Sequence, residues 1–525
     1  MADDGVPGGS HGLSSPWFQH HGLRPWSIDA TAMSIDEEQV DALDWATAFA
    51  EMEALEAGAV ANPDEGRQVG HYWLRAPDRA PTMGQAAQIG EASQAVSAFA
   101  NGVHTGNITA EDGHPFTDVL HIGIGGSALG PQLVDAALAP SADGLQLHFV
   151  DNIDPDGIAV TLAAIGERLR HTLVVVVSKS GGTVETARAT DLVQRHIEAK
   201  GLQWGPQCVA ITGEGSKLAQ RADAEGWAAT FPMWDWVGGR TSVTSAVGLL
   251  PAALAGIDTA ELLRGAAEMD AWTRHGAWRD NPAALLAGCW HVAGSGRGDR
   301  NMVVLPYSDR LLLLSRYLQQ LVMESLGKRH DLDGNEVDQG ITVLGNKGST
   351  DQHAFVQQLR DGRRDFFVTF LQVLSDGAGD PEPVVGDANA GDLLQGFLVG
   401  TRRALADEDR PSITITVPAV DAAELGGLIA LYERAVGLYA SLVRINAYHQ
   451  PGVEAGKKAA ASVLSLGDRL RASVGRLPRT ADDLAAELHE DEVEVFYVLQ
   501  RLAQTGRVRR EGMGPTATFA AGSAR

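Results

Sequence analysis

Apolar residues recur along this chain with two different periods. Over residues 34–56 and again over 83–100 they fall at helical spacing. Ser34 stands as an N-cap with Glu37 three residues on, the pattern of a capping box. Residues 62–67 separate the two stretches as a loop, so the region 31–104 reads as helical. From residue 118 the pattern changes to short, continuous apolar runs, each followed by a turn of small residues and a helical stretch. Strands are predicted at 118–124, 147–150, 172–178, 208–212 and 230–233. A second series follows at 302–306, 342–344, 366–374 and 412–417, with helices over 311–326 and 352–360. Runs that are apolar at successive positions are buried on both faces, as in a parallel sheet. The alternation predicts an α/β fold of two tandem doubly wound subdomains with parallel-core sheets, spanning 105–285 and 286–475. A helical stretch from 422 to 474 closes the second, interrupted near His449, Gln450, Pro451 and Gly452.

The two ends read differently. Residues 1–30 are rich in Gly, Ser, Pro and His and are expected to be a poorly ordered tail. At the other end, 476–479 read as a linker, and 476–525 as a small winged-helix-like extension. Thr480 caps a helix there with Asp483 completing a box, a second helix covers 493–503, and Arg507 to Arg510 form a short strand before Gly512. A nucleic-acid-reading role would need positive charge, but Asp482, Asp483, Glu487, Glu490, Asp491, Glu492 and Glu494 crowd the two helices. Leu484, Leu488, Val495, Val498, Leu499 and Leu502 recur at helical spacing, so the extension is expected to pack on the rest of the chain or on a second copy rather than to bind DNA.

Composition narrows the class. A chain of 525 residues exceeds one ordinary core and implies two or three domains. It is 44% hydrophobic and 21% charged, with no apolar run long enough to cross a bilayer and no basic-then-apolar leader at its start. Cys208 and Cys289, both in apolar surroundings, make no disulfide framework, which fits a cytoplasmic protein. The net charge of −25 argues against nucleic-acid and anionic-membrane partners. An anionic substrate would then need local positive charge.

Candidate chemistry lies in the turns. After the β-branched run 172–177 come Ser178, Lys179, Ser180, Gly181, Gly182 and Thr183, opening a helix. Free backbone N–H groups, a positive helix end and three hydroxyls suit a phosphate. The loop lacks the Gly-Lys-Ser/Thr ending of a nucleotide loop, which favours a phosphorylated metabolite over ATP. Gly123, Gly125, Gly126, Ser127 and Ala128 fit a loose dinucleotide pattern, with Asp151 ending the next strand. That spacing is longer than a nicotinamide site uses, and a second anion loop stands beside it. Gly238 and Gly239 directly before Arg240 expose N–H groups beside a guanidinium, an arrangement for a developing oxyanion. Glu324, in an apolar run, is either a solvated helix face or a general base. His353 opens a helix, and Lys457 follows a helix break among small residues. No His, Cys, Asp or Glu cluster has metal-ligand spacing.

Together these segments resemble the glucose-6-phosphate isomerase family. The matching stretches are 121–131, 178–186, 234–248, 320–328, 348–355 and 448–457, in family order, and 62–77 resembles the family's N-terminal segment. The resemblance covers roughly 60–465. Thr241 stands where the family usually has an aromatic, and Gly181–Gly182 replace bulkier residues found in one branch. The resemblance implies a sugar-isomerase fold and interconversion of glucose 6-phosphate and fructose 6-phosphate with no metal and no cofactor. It implies that Gly126, Ser127, Ser178, Lys179 through its backbone, Ser180 and Thr183 hold the phosphate. His353 and Lys457 would open and close the ring, Glu324 would move the proton between C1 and C2, and Gly239 and Arg240 would stabilise the cis-enediol(ate). Gln320 and Gln450 would line the sugar. It also implies a homodimer in which His353 completes the partner's site. A relative acting on mannose 6-phosphate or an amino sugar, or a sugar-phosphate-binding regulator using 480–512 on DNA, are the rival readings.

Overall fold

The computed structural model describes residues 12–22, 24–139 and 144–522, with the side chains of 453–458 left aside. Within it the chain forms two compact units, residues 1–449 and 450–525. The first holds both α/β sheets. One is five-stranded and wholly parallel, in the order Gln146–Val150, Asp118–Ile122, Thr172–Val177, Cys208–Thr212, Ala229–Pro232. Chain order reverses direction between Asp118–Ile122 and Thr172–Val177, so the turns that follow these two neighbours open at a switch point. The strand Thr172–Val177 is buried at every position, as its unbroken β-branched run requires.

The second sheet is six-stranded, in the order Phe18–His20, Ser27–Ala32, Ser412–Val417, Phe366–Val373, Asn301–Pro306, Val343–Leu344. The last four strands run parallel, and the first two add an antiparallel edge. The expectation of an unordered stretch through residue 30 therefore fails for 17–22 and 24–30, while 1–11 and 23 lie outside the described residues. Trp17, Trp26 and Ile28 are buried apolar anchors, and Glu424 accepts hydrogen bonds from Trp26 and from Arg24 at 2.9 Å. The small and breaking residues between them supply turns, not disorder.

Two further readings shift. The first helical region breaks into Glu37–Asp41 and Trp45–Glu56. Its capping box is Asp36 with Gln39, not Ser34 with Glu37, because Ser34 takes a left-handed backbone with φ of 53°. The helix read over 311–326 is an α-helical turn, Leu314–Leu318, that widens into a π-helical turn over Gln319–Glu324. Such turns displace the ladder by one residue and are frequent at functional sites. The helix Ala422–Leu442 is buried along almost its whole length. It packs so tightly on Thr259–Trp272 that a methyl at Gly265 would overlap the Ala423 carbonyl. Among the described residues no helix is long and apolar enough to cross a membrane.

The second unit has its own core. The helix Pro451–Ser473 presents Leu466 and Leu470, followed by Val474, to the helices Ala481–Leu488 and Glu492–Gln504 and to Phe519. The box of Thr480 with Asp483 forms as expected. Val508–Glu511, Thr518–Ala521 and Arg479–Thr480 make a three-stranded antiparallel sheet beside the helices. A chain ending at Pro478 would leave Leu466, Leu470 and Val474 without cover, at about 1.5–3 kcal/mol for each large side chain exposed. Hydrogen exchange should then accelerate across 459–473. Unchanged protection there would show that the extension does not stabilise this helix.

Candidate active site

Two glycine-rich turns leave neighbouring strands of the parallel sheet. After Asp118–Ile122, the chain makes the turn Gly125–Ser127 before the helix Leu129–Leu138. His121, fully buried, is bound through Nε2 to the Ser127 carbonyl at 2.6 Å. Burial pushes its pKa down to about 4, so the ring is neutral at pH 7 and donates from that nitrogen. After Thr172–Val177, Ser178 Oγ accepts from the Gly181 N–H at 3.2 Å, and Ser180 Oγ from the Gly182 N–H at 3.1 Å. Gly181 has φ of 64°, and a side chain there would strike the Leu218 backbone. Thr183 is the N-cap of Val184–Ala199 but makes no side-chain cap bond, so its hydroxyl and the first helical N–H groups are not paired with each other. Lys179 contributes more than backbone. Its Nζ donates to the carbonyls of Asp235 and Val237, both at 3.0 Å, and ties this loop to the next turn.

That next turn carries Arg240. Gly126 and Gly239 approach so closely that a methyl on Gly126 would overlap the Gly239 carbonyl. Ser242 Oγ reaches the carbonyls of Gly239 at 2.8 Å and Gly126 at 3.3 Å, locking the two turns together. Arg240 is only 6% exposed. Its Nη1 donates to Ser325 Oγ and the Ala447 carbonyl, both at 2.6 Å, and its Nη2 to the His449 carbonyl at 3.1 Å. Its Nε lies 3.6 Å from Glu324 Oε2. Burial pulls its pKa below the ordinary arginine value, and the Glu324 charge opposes this.

The π-helical turn Gln319–Glu324 brings Gln320 and Glu324 to the same place. Gln320 Nε2 donates to Glu324 Oε2 at 3.0 Å and lies against Gly125. The Glu324 side chain is 23% exposed, so one carboxylate is held by an amide and a guanidinium at the edge of solvent. The loop from Asn62 buttresses the far side. Asn446 Nδ2 donates to Asn62 Oδ1 at 3.0 Å, and the Gly70 N–H to the Trp236 carbonyl at 2.8 Å.

The structure thus brings Gly126, Gly239, Arg240, Gln320 and Glu324 into one connected set, and ties Lys179 to the turn that carries Arg240. His353 ends the turn Thr350–His353 and is exposed. The turn itself is rigidly held: buried Asp351 accepts from the Asn346 and Lys347 N–H groups at 2.8 and 3.1 Å. Gln450 caps the helix Pro451–Ser473 in the second unit. The side chain of Lys457 lies outside the described residues. Sequence reasoning passed over Ser242 and Ser325, each adjacent to a residue already singled out. Their signal was a hydroxyl one or two positions from a buried charge. A chemical site of this kind offers donors for an anion, a base and a fixed cation.

Known proteins share this pattern. The phosphoglucose isomerase family model matches residues 30–383 and 397–474. A glucose-6-phosphate isomerase of Synechococcus sp. (strain JA-3-3Ab) is 55% identical over 502 residues, covering 94% of each chain. One from Geobacter sp. (strain M21) is 58% identical over 464 residues, 87% of this chain and 88% of its own. The crystal structure of a glucose-6-phosphate isomerase from Chlamydia trachomatis superposes with a TM-score of 0.76 at 29% identity, covering 84% of this chain and 88% of that one. The family match ends at 474, whereas the Synechococcus alignment leaves too few residues unmatched to omit the whole extension.

Arg240→Lys is expected to leave at least two of the buried acceptors at Ser325, Ala447 and His449 unmatched. Stability should fall by about 2–5 kcal/mol, read as a lower denaturant midpoint at unchanged m. A midpoint within error of the parent would show that these bonds carry no net stability.

Proposed function

The chain belongs to the phosphoglucose isomerase family, and from that premise and the site geometry we propose that it interconverts glucose 6-phosphate and fructose 6-phosphate by proton transfer through a cis-enediol(ate), without a metal. The observation that carries the mechanism is Glu324 held between Gln320 Nε2 and Arg240 Nε beside the two small-residue turns. A proton on carbon next to a carbonyl is weakly acidic. Removing it needs a placed base and a cation where oxygen charge grows. Glu324 is the base in this reading, and Arg240 with the Gly239 turn stabilises the enediolate. Ser127, Ser178, Ser180, Thr183 and the Lys179 N–H hold the phosphate, with Gly126 allowing close approach. Gln320 and Gln450 line the sugar.

His353 and Lys457 open and close the ring in this proposal, and His353 serves the site of a second copy in a homodimer. Its exposure on a rigidly held turn supports that role. A dimer built this way is isologous, so each copy gives and receives one histidine. In this proposal the protein works in the cytoplasm, at a step of sugar-phosphate breakdown and synthesis.

Purified protein given fructose 6-phosphate in excess chelator should produce glucose 6-phosphate, read by a coupled dehydrogenase. Glu324→Gln should lower kcat on the order of 10²–10⁴-fold with KM little changed. An enzyme that needs an added divalent metal, or a folded Glu324→Gln variant of near-normal turnover, contradicts the mechanism.

His353→Ala separates the two stages. It should be impaired far more on the cyclic sugar than on a substrate supplied in open-chain form, with kcat/KM for the two compared directly. Equal losses would assign His353 to general positioning instead of ring opening.

A further inference from the structure

Lys328 stands four residues beyond Glu324, at the start of the strand Lys328–His330, with its side chain folded back into the protein. It is 5% exposed. Its Nζ donates to the main-chain carbonyls of Glu324 and Ser325, each at 2.7 Å. These carbonyls end the helical segment, where a helix leaves acceptors without partners. The Gly327 N–H closes on the Met323 carbonyl at 2.8 Å in the same turn. Arg240 holds the turn through the Ser325 hydroxyl. Lysine and arginine therefore fix one peptide segment through adjacent residues, and Glu324 lies inside that segment.

We infer that Lys328 is a positioning residue for Glu324, fixing its backbone and placing a second cation near its carboxylate. The inference rests on the reading of Glu324 as the base. The charged groups that face Lys328 are Arg240 from the turn Gly239–Thr241, Glu324 on its own segment, and Asp64 on the loop that follows Asn62. Burial, and then the Arg240 charge, lower the lysine pKa to about 7. Below that pH the cation is present. Above it, the neutral amine keeps two hydrogens for two carbonyls, so the bonds outlast the charge.

Three variants separate bonds from charge. Lys328→Met removes both, Lys328→Gln offers a donor without charge, and Lys328→Arg keeps the charge. Lys328→Met should lower kcat about tenfold or more while KM changes less than about threefold, since a misplaced base costs turnover more than binding. Lys328→Arg should restore most of that loss. In the Met and Gln variants the acid limb of kcat/KM should move to higher pH, because the base gains its proton more readily once a nearby cation is gone. The Arg variant should keep the parent limb. The comparison is made below pH 7, where the parent lysine is charged.

Circular dichroism and the thermal midpoint establish that each variant is folded. If Lys328→Met does not fold, the Gln and Arg variants decide the question. Folded variants that keep both parental kcat and the parental acid limb overturn the positioning role. An active Glu324→Gln enzyme would overturn the base assignment instead, so the two failures are distinguishable.

Discussion

A buried guanidinium must have its N–H groups matched, since an unpaired buried charge costs several kcal/mol. Arg240 meets that demand by drawing acceptors from separate parts of the chain. It takes the Ser325 hydroxyl from one segment and the carbonyls of Ala447 and His449 from another, with the Glu324 carboxylate at 3.6 Å. Those segments cannot drift without stranding the charge. The same packing explains Gly126: only a residue without a side chain lets the first turn of the parallel sheet lie directly against the Gly239 carbonyl of the Arg240 turn. Stability and chemistry use one set of bonds here. The cation is rigid because folding requires it to be satisfied, and in the proposed mechanism a rigid cation is what the developing oxyanion needs.

Behind the site a second buried ionic set holds the scaffold. Arg75 makes a bidentate pair with Asp270, at 2.7 and 3.0 Å, and also meets Glu433. Arg434 lies over the Tyr72 ring at 4.0 Å. These residues join the turn His71–Arg75 to the helices Thr259–Trp272 and Ala422–Leu442. Burial raises the Glu433 pKa to about 7, against the pull of Arg75. Ion pairs at such depth roughly break even against apolar packing, but breaking one partner is expensive. Their effect is therefore on register. The helix Ala422–Leu442 is largely apolar and could slide along Thr259–Trp272, and its three buried charges, Glu424, Glu433 and Arg434, permit one alignment.

Much of the fold was legible because continuous β-branched runs have one stable fate, the interior of a parallel sheet. Residues 208–212 and 412–417 match their observed strands to the residue. The failures lie where tertiary contacts override local chemistry. Ser34 and Glu37 have the right spacing for a capping box, but Asp36 and Gln39 have it too, and the backbone bend at Ser34 decides between them. The stretch around Trp17, Trp26 and Ile28 looked unstructured because its order comes from these residues meeting distant ones. At the site, residue types that carry chemistry stood out, whereas their holders did not. Ser242 and Lys328 donate to main-chain carbonyls, and Ser325 accepts from Arg240, partners that become neighbours only after folding. The π-helical turn was invisible for a related reason, since its widened ladder depends on packing around Gln320 and Glu324 and not on local propensity.

Charge distribution follows from the same division between local and distant effects. The chain carries a net charge of −25, which would repel a sugar phosphate at long range. At physiological ionic strength that repulsion is screened beyond about 8 Å, so what the phosphate meets inside the crevice matters more. In the proposed site the donors around the phosphate are mainly neutral: backbone N–H groups of the two glycine-rich turns and hydroxyls of Ser127, Ser178, Ser180 and Thr183. Fixed dipoles bind an anion without large desolvation or reorganisation costs. In the proposed mechanism the Arg240 charge stands next to Glu324, where oxygen charge would appear only during reaction. The one lysine of the phosphate loop, Lys179, gives its ammonium to the Asp235 and Val237 carbonyls; a cation aimed at the phosphate would tighten ground-state binding and leave the barrier unchanged. The arrangement concentrates electrostatic stabilisation on the step that needs it.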